Sequence, residues 1–308
     1  MSQSSAKSYV KIGREVTWGT PVSATFNSGL LVQSVSPTFE REVNDAFGIG
    51  NIQTQFVYSG LQGAGLSING HIQDTKLFEF ILGEATHVET TDDWKHTFAI
   101  DNEPASITAE VGVGDTSQTL SGLLNTSAEI SIDLNGALTL NTEWIGKDTT
   151  ADGTSSTGVA NTLPIFTHAN AYVKIDDTNV DEVQNASISI TKTVERVGGI
   201  SDTAYKQAHA VDMIFEFSAT IGFAAETYHS LSLGTTDFTF AIGADNGVDL
   251  GDGRREFVFK LKECKASGFN QPIEVGGIVF LEISGKGVYD TCFGVDNIET
   301  DAWPAEAE

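Results

Sequence analysis

The sequence contains few cysteines and few positively charged residues, and each shortage excludes a class of protein. Cys264 and Cys292 can form one disulfide at most, and neither stands near a second cysteine or a histidine at metal-binding spacing. We expect two ordinary thiols, with a single bridge as the alternative. The 17 Lys and Arg stand against 42 Asp and Glu, which gives a net charge of −25. Because binding to nucleic acids and anionic membranes depends on clustered Lys and Arg, this composition disfavours both.

Long apolar runs are missing as well. No stretch approaches the ~20 apolar residues that a membrane-spanning helix needs, and residues 1–7 lack the apolar core of a signal peptide. The six histidines are scattered, and the sequence has no Gly-x-Ser-x-Gly nucleophile motif. The sequence therefore predicts a soluble protein that is not exported by the usual route, carries no cofactor and is not an enzyme.

The composition that remains favours β-structure, because 31 Gly and 18 Phe accompany abundant Ser, Thr, Val and Ile. Apolar and polar residues alternate over 128–134 and again over 138–144, on either side of Asn135-Gly136. This pattern predicts a β-hairpin over 127–145 with an Asn-Gly turn. The same alternation predicts a second long strand over 213–223.

Helical patterns are rare. Asp74 is a candidate cap for a short helix that includes Leu77 and Leu82 and ends at Gly83. Residues 225–233 form a weaker helix candidate. Residues 148–162 are rich in Gly, Ser, Thr and Asp without periodicity, which indicates an exposed loop or linker.

An internal repeat is the most informative feature of the sequence. A shift of 151 residues aligns 32–83 with 183–234 and gives nine identities. Thr-Phe-Ala-Ile follows each candidate helix, at 97–100 and at 239–242. The conserved order of these features predicts two diverged copies of one β-rich unit, each with one short helix.

The end of each copy is marked by Gly-Lys, at 146–147 and at 285–286. The offset between the copies drifts from 151 to 139, as insertions and deletions in loops would cause. The predicted divisions are a first unit at 1–147, a linker at 148–168, a second unit at 169–294 and an acidic tail at 295–308.

Three short motifs have a chemical as well as a structural interpretation. The acidic loop after residue 243 offers carboxylates that suit Ca²⁺, but its sixth position lacks the glycine of a calcium loop, so an acidic hairpin tip is preferred. Its candidate ligands are Asp245, Asp249, Asp252 and Glu256. The run Gly60 to Gly65 lacks the Lys and helix start of a phosphate loop and indicates a turn. Asn125 and Asn185 match the glycan acceptor pattern inside predicted strands, which favours chance matches.

A family resemblance appears at the start of the chain. The sequence begins its first predicted strand with Tyr9-Val10-Lys11-Ile12-Gly13-Arg14-Glu15-Val16-Thr17-Trp18-Gly19-Thr20-Pro21-Val22. This segment resembles the start of major tail proteins, the tail tube subunits of long-tailed double-stranded DNA viruses, which often carry a Glu-x-Thr-x-Gly-Thr turn after the first strand. The later order of long strands, one short helix and the Asn135-Gly136 hairpin is also similar, and the resemblance covers most of residues 8–290.

The resemblance implies a structural virion protein that is made in the host cytoplasm and resides in the viral tail. In the family, each fold contributes long hairpins to a closed inner β-barrel around a channel for DNA, and stacked rings form the tube. Two copies per chain resemble the subset in which three chains make a ring. We therefore expect homotrimeric rings with pseudo-sixfold symmetry first and hexameric rings second. A tape measure protein and tail-end proteins are implied as partners, and double-stranded DNA would pass without specific binding.

The resemblance also assigns roles to individual residues. Polar positions of the long strands are expected to face an acidic channel, with the outward face of a monomeric sandwich as the alternative. These positions are Glu129, Ser131, Asp133, Thr139, Asn141, Glu143, Ser187, Ser189, Thr191, Glu216, Ser218 and Thr220. The segments 44–60 and 195–210 are expected to contact the neighbouring ring, because the first is more apolar than a loop should be and the second is its counterpart. The contact residues are Phe47, Ile49, Ile52, Phe56, Val57, Tyr58, Val197, Ile200 and Tyr205.

Two interpretations of the acidity are compatible. One is adaptation to a highly saline medium, as for a virus of a salt-loving archaeon, although 12 Lys against 5 Arg weakens it. The other is a surface that must not adhere to a polyanion. A two-domain β-sandwich adhesin or carbohydrate-binding surface protein is the alternative function.

Overall fold

The computed structural model describes residues 8–47, 49, 53–89, 93–152, 156–159, 161–222, 237–250, 254–270 and 280–297. Over these ranges the chain is mainly β, with seventeen strands and one α-helix. Every pairing between these strands is antiparallel. No helix in the described part of the chain is long and apolar enough to cross a membrane.

The first half contains ten strands and the helix. They are β1 (Tyr9–Arg14), β2 (Phe26–Asn27), β3 (Leu30–Ala46), β4 (Phe56–Ile72), α1 (Lys76–Leu82), β5 (Gly83–Glu89), β6 (Trp94–Ile100), β7 (Ile107–Val113), β8 (Thr116–Asp133), β9 (Thr139–Gly146) and β10 (Asp148–Asp152). The second half contains β11 (Ala171–Ile175), β12 (Thr178–Asn179), β13 (Val183–Val197), β14 (Gln207–Gly222), β15 (Phe238–Asp249), β16 (Arg254–Asn270) and β17 (Phe280–Asp296).

One long sheet runs through both halves. Its hydrogen-bonded order is β3, β4, β9, β8, β13, β14, β17, β16, β15 and β11. The halves meet where β13 pairs with β8 over Asn185–Thr191 and Ser127–Asp133. The first half of β8 instead pairs with β7 and β10 in a second sheet that also contains β1 and β2.

The pairing order is the same in the two halves. In the first it is β1, β7, β8, β9, β4 and β3, and in the second β11, β15, β16, β17, β14 and β13. This match supports two copies of one unit, whose common origin remains a prediction. The Thr-Phe-Ala-Ile alignment is wrong, since 97–100 lie in β6 whereas 239–242 lie in β15, the counterpart of β7. Four alternating residues fit any half-buried strand, so this short motif could not distinguish β6 from β7.

The predicted hairpin over 127–145 is confirmed, with Asn135 at φ 63° and the Gly136 N–H donating to the Asp133 carbonyl at 2.9 Å. Its first strand starts earlier than predicted, at Thr116. The strand predicted over 213–223 is confirmed as β14, and Phe223 lies outside the described residues. The linker predicted at 148–168 contains a strand, because Asp148–Asp152 add β10 to the edge of β8. Polar composition concealed this strand, because hydrogen bonding to a neighbour can hold a polar edge strand that has no apolar face.

Helix α1 confirms the predicted short helix and is buried along its whole length. Phe78 packs against Phe257 of β16, with ring centroids 5.2 Å apart, so the helix fills the core between the halves. Asp74 accepts the backbone N–H of Lys76 at 3.1 Å and pairs with the Lys76 ammonium at 2.9 Å. Gly83 ends the helix at φ 120°. The second helix candidate, at 225–233, lies outside the described residues.

The hairpin of β5 and β6 fastens the first half to the second. It pairs with the last residues of β17, and the His96 Nε2 lies 3.1 Å from the Asp296 carboxylate. The Nδ1 atoms of His87 and His96 are 2.7 Å apart. Burial, and secondly the neighbouring His96, lowers the pKa of His87 to about 4.

A single chain does not close the long sheet. Among the described residues, β3 has a strand partner only on its β4 side, and β16 beyond Cys264 only on its β17 side. A closed barrel is therefore not found among the described residues of the chain.

Candidate functional site

The polar residues predicted to share one surface lie on one face of the long sheet. Directly opposed residues point to the same side of a sheet. One such row crosses six strands through Asn69, Asn141, Glu129, Ser189, Glu216 and Lys286. All twelve predicted residues belong to this row or to parallel rows two or four residues away. We call this surface the polar face.

Hydrogen bonds between neighbouring strands order the polar face. The hydroxyl oxygens of Ser131 and Thr139 lie 2.7 Å apart, and those of Ser187 and Ser218 lie 2.9 Å apart. The Asn69 amide donates to the Asn141 amide oxygen. These contacts hold short polar side chains close to the sheet and link neighbouring strands.

The polar face contains two depressions and carries more negative than positive charge. A depression of about 510 Å³ lies over β4, β9, β8 and β13, and a second of about 400 Å³ lies over β14, β17 and β16. Its carboxylates are Glu129, Asp133, Glu143, Glu216 and Glu282. Lys286, which sequence reasoning missed, lies 3.0 Å from Glu216 and offsets one of these charges.

Sequence reasoning found the polar face in β8, β9, β13 and β14 but missed its continuation. Ser34 and Ser36 of β3, Ser67 and Asn69 of β4, and Glu282 and Ser284 of β17 are paired to the same side. The signal was present, because apolar and polar residues alternate from Leu66 to Ile72. The pairing of β4 with β9 was not readable from the sequence.

Two hairpins protrude from one end of the sheet and carry the predicted contact residues. In the first, Phe56 is 71% and Tyr58 58% exposed, and Phe47, Ile49 and Val57 are also exposed. Ile52 lies outside the described residues. In the second, Val197 and Ile200 are exposed. The first hairpin thus presents an unusually apolar surface to solvent.

The second hairpin folds back onto the first half. The Thr203 carbonyl accepts the Gln62 N–H at 3.0 Å, and the Arg196 guanidinium donates to the Gly146 carbonyl at 3.1 Å. The same guanidinium covers the Tyr205 ring at 4.3 Å from its centroid. Tyr205 was predicted to contact a neighbouring ring of subunits. Its side chain is instead half-buried within its own chain.

The turn that carried the family resemblance is held by one buried carboxylate. Glu15 accepts hydrogen bonds of 2.6 to 2.8 Å from the Gly19 and Gly122 backbone N–H groups and the Ser106 and Thr108 hydroxyls. Gly19 has φ 67°, a conformation that favours glycine. The Glu-x-Thr-x-Gly-Thr pattern therefore joins β1, β7 and β8 and has a structural role.

Asp245 and Glu256 of the candidate cation site stand opposite each other, but no group of three or more His, Cys, Asp or Glu among the described residues could hold a metal ion. The Tyr172 hydroxyl donates to Glu256 at 2.8 Å, and Arg254 lies 3.5 Å from Asp245. Asp252 and the Asp249 side chain lie outside the described part of the structure. The Asn125 amide is buried and donates to the Ser127 and Glu143 carbonyls. Cys264 and Cys292 are buried free thiols, and burial raises the pKa of Cys264 to about 12.

A comparison with known proteins places the chain in a family. A family model described as phage tail tube protein matches residues 5–287. A search among curated proteins finds no match. The family match spans both halves and includes every strand that forms the polar face.

Proposed function

The chain belongs to the phage tail tube protein family, and from this premise we propose that three copies close a ring whose acidic inner wall surrounds passing DNA. As a structural component of the virion tail, the protein assembles with itself into a stacked tube. The proposal comprises the threefold ring, the identity of the inner wall and the role of the protruding hairpins.

The observation that carries the proposal is the continuity of the polar face across eight strands from both halves. A sheet that is polar on one side and apolar on the other is suited to line a water-filled channel. Two similar halves side by side would give each ring of three chains a pseudo-sixfold wall.

The charge of this wall suits transport better than binding. Affinity for DNA comes from counterion release when Lys and Arg neutralise phosphates. The carboxylates of this wall cannot neutralise phosphates or release their counterions; they include Glu129, Asp133 and Glu143. Lys286 is already paired with Glu216. DNA would therefore move along the wall without specific attachment, and no catalytic group is required for this role.

The first protruding hairpin is proposed to contact the next ring of the stack. Phe56, Val57 and Tyr58 are exposed in one chain and would be buried on stacking, at about 25 cal/mol per Å² of apolar surface. A tape measure protein and tail-end proteins are the further partners that we propose for the tube.

Labelling of single cysteines tests the assignment of the inner wall. A Ser131→Cys variant on the polar face and a Thr178→Cys variant on exposed β12 are treated with a maleimide carried on a large protein. We expect both to react before assembly and only Thr178→Cys to react in assembled tubes. Equal labelling of Ser131→Cys in tubes would contradict the proposal. The buried Cys264 and Cys292 keep the background low.

A further inference from the structure

The joint between the two halves is a complete edge-to-edge strand pairing. Ser189, Ile190 and Thr191 of β13 stand opposite Glu129, Ala128 and Ser127 of β8. The apolar side of this joint is dry, because Ala128, Ile188 and Ile190 are 2% exposed or less. The β13–β8 pairing therefore shows, within one chain, how the second half can pair with the first.

The strand ladders allow each position of one half to be matched with a position of the other. Between β3 and β4 the register shifts between Val32 and Ser34, and between β13 and β14 it shifts between Val183 and Asn185, 151 residues later. Between β8 and β9 it shifts between Asn125 and Ser127, and between β16 and β17 between Ala266 and Gly268, 141 residues later. Shared irregularities fix the correspondence without reference to sequence identity.

By this correspondence the chain has two unused edges. The outer side of β3 matches the side of β13 that pairs with β8, and Gly268–Asn270 at the end of β16 match Ser127–Glu129 of β8, which pair with Ser189–Thr191 of β13. Neither edge has a strand partner in the described part of the chain. An unprotected edge of this length attracts further strands.

Side-chain exposure marks the β3 edge as an incomplete interface. Phe39 of β3 occupies the position of Ile190, yet Phe39 is 50% exposed where Ile190 is fully buried. Val35 occupies the position of the buried Ala186 and is itself only half-buried. An apolar residue exposed at a position that is buried in the equivalent joint indicates that a neighbour covers it.

We propose that β3 of one chain pairs with the end of β16 of a second copy, in the register that β13 and β8 use within the chain. The register places Thr38 opposite Asn270, Phe39 opposite Phe269 and Glu40 opposite Gly268. This inference rests on the proposed ring and names the surfaces that close it.

The two edges differ, so the contact is head-to-tail. Such a contact generates a closed ring when its rotation matches the ring order. The polar face then continues from Ser36 and Thr38 of one chain onto Asn270 and Ser284 of the next.

Disulfide trapping tests the register. Opposed residues in an antiparallel pair have Cβ atoms about 5 Å apart, within reach of a disulfide. A Thr38→Cys/Asn270→Cys variant is assembled, oxidised and resolved on a non-reducing gel. We expect covalent multimers that end at the ring number. Ser189→Cys/Glu129→Cys is the matched positive control and should bond within one chain. Ser34→Cys/Asn270→Cys, displaced by roughly 13 Å along the strand, should give no multimers.

The outcomes separate this joint from the proposed function. Tubes without multimers, or equal trapping in the displaced variant, overturn the joint and leave the tube function standing. Failure of the unmodified chain to assemble overturns both. If the double variant does not fold, hydrogen exchange of the unmodified chain tests the same joint. The backbone amides of Thr38 to Glu40 and of Gly268 to Asn270 should become protected from exchange on assembly. Unchanged exchange at these amides would contradict the joint.

Discussion

At the scale of single residues, the chain uses a few buried polar groups to fix where strands meet. Glu15 could be recognised from sequence as part of a turn that includes Gly19, but its other three donors lie 91 to 107 residues away along the chain. Likewise, the pairing of His96 with Asp296 joins residues 200 positions apart. A sequence pattern reports local periodicity, so such contacts become visible only once the strands are paired.

The Glu15 carboxylate predicts a measurable loss of stability. In a Glu15→Gln variant the side-chain NH₂ would face donors that need an acceptor, so the free energy of unfolding should fall by about 2–3 kcal/mol. Urea denaturation of the isolated subunit measures this. Glu84→Gln, at an exposed position of β5, is the control and should change little. Similar losses in the two variants would contradict the role given to Glu15.

The buried histidine pair predicts acid sensitivity. The pKa of His87 is lowered to about 4, whereas the unfolded chain binds the proton near 6.5. Its contribution to stability is therefore complete above pH 6.5 and declines as the pH falls toward 4. We expect the melting temperature of a His87→Gln variant to fall less between pH 7 and pH 5 than that of the unmodified chain. The control is His209→Gln, at an exposed position, which should behave like the unmodified chain. The same decrease of melting temperature with pH in the unmodified chain and in both variants would contradict this role of His87.

At the scale of elements, alternation located the strands but not their neighbours. It identified β8, β9 and β14 because their two faces differ in polarity. It missed β10, whose residues are mostly polar, and it confused β6 with β7. It also could not show that the second hairpin folds back onto Gln62.

The apolar side chains of the first protruding hairpin are predicted to be needed for long tubes. A Phe56→Ser/Tyr58→Ser variant should remain folded, because both side chains are exposed, but should form rings without long tubes. Negative-stain microscopy measures tube length, and circular dichroism verifies folding. Val88→Ser/Val113→Ser removes exposed apolar side chains from other strands and should leave tube length unchanged. Normal tubes from the hairpin variant would remove its inter-ring role.

At the scale of the whole molecule, the sequence repeat predicts two similar units, and the strand-pairing order of the two halves is consistent with that prediction. The offset of 151 residues between β3 and β13 was readable because Val32, Gln33 and Ser36 recur at 183, 184 and 187. The pairing of β8 with β13 could not be predicted from the sequence. Sequence identity between repeats shows which positions are equivalent, not which strand edges pair with each other. Composition indicated the acidity of the chain, and the fold then showed that part of it lies on the polar face.

The net charge of −25 gives a prediction for the whole chain. Self-repulsion among surface carboxylates is screened over about 3 Å at 1 M salt and over about 10 Å at 0.1 M. If the acidity reflects a saline medium, the melting temperature should rise between about 0.1 M and 3 M NaCl. Circular dichroism provides the measurement, and an unchanged melting temperature would count against adaptation to salt.

Electron cryomicroscopy of tubes assembled from the purified chain would resolve both the ring and its inner wall. We expect rings of three chains in which first and second halves alternate around one channel, with Glu129, Ser131 and Ser218 on its inner surface. Rings with the polar face turned outward, or particles in which the two halves do not take equivalent positions, would contradict this expectation.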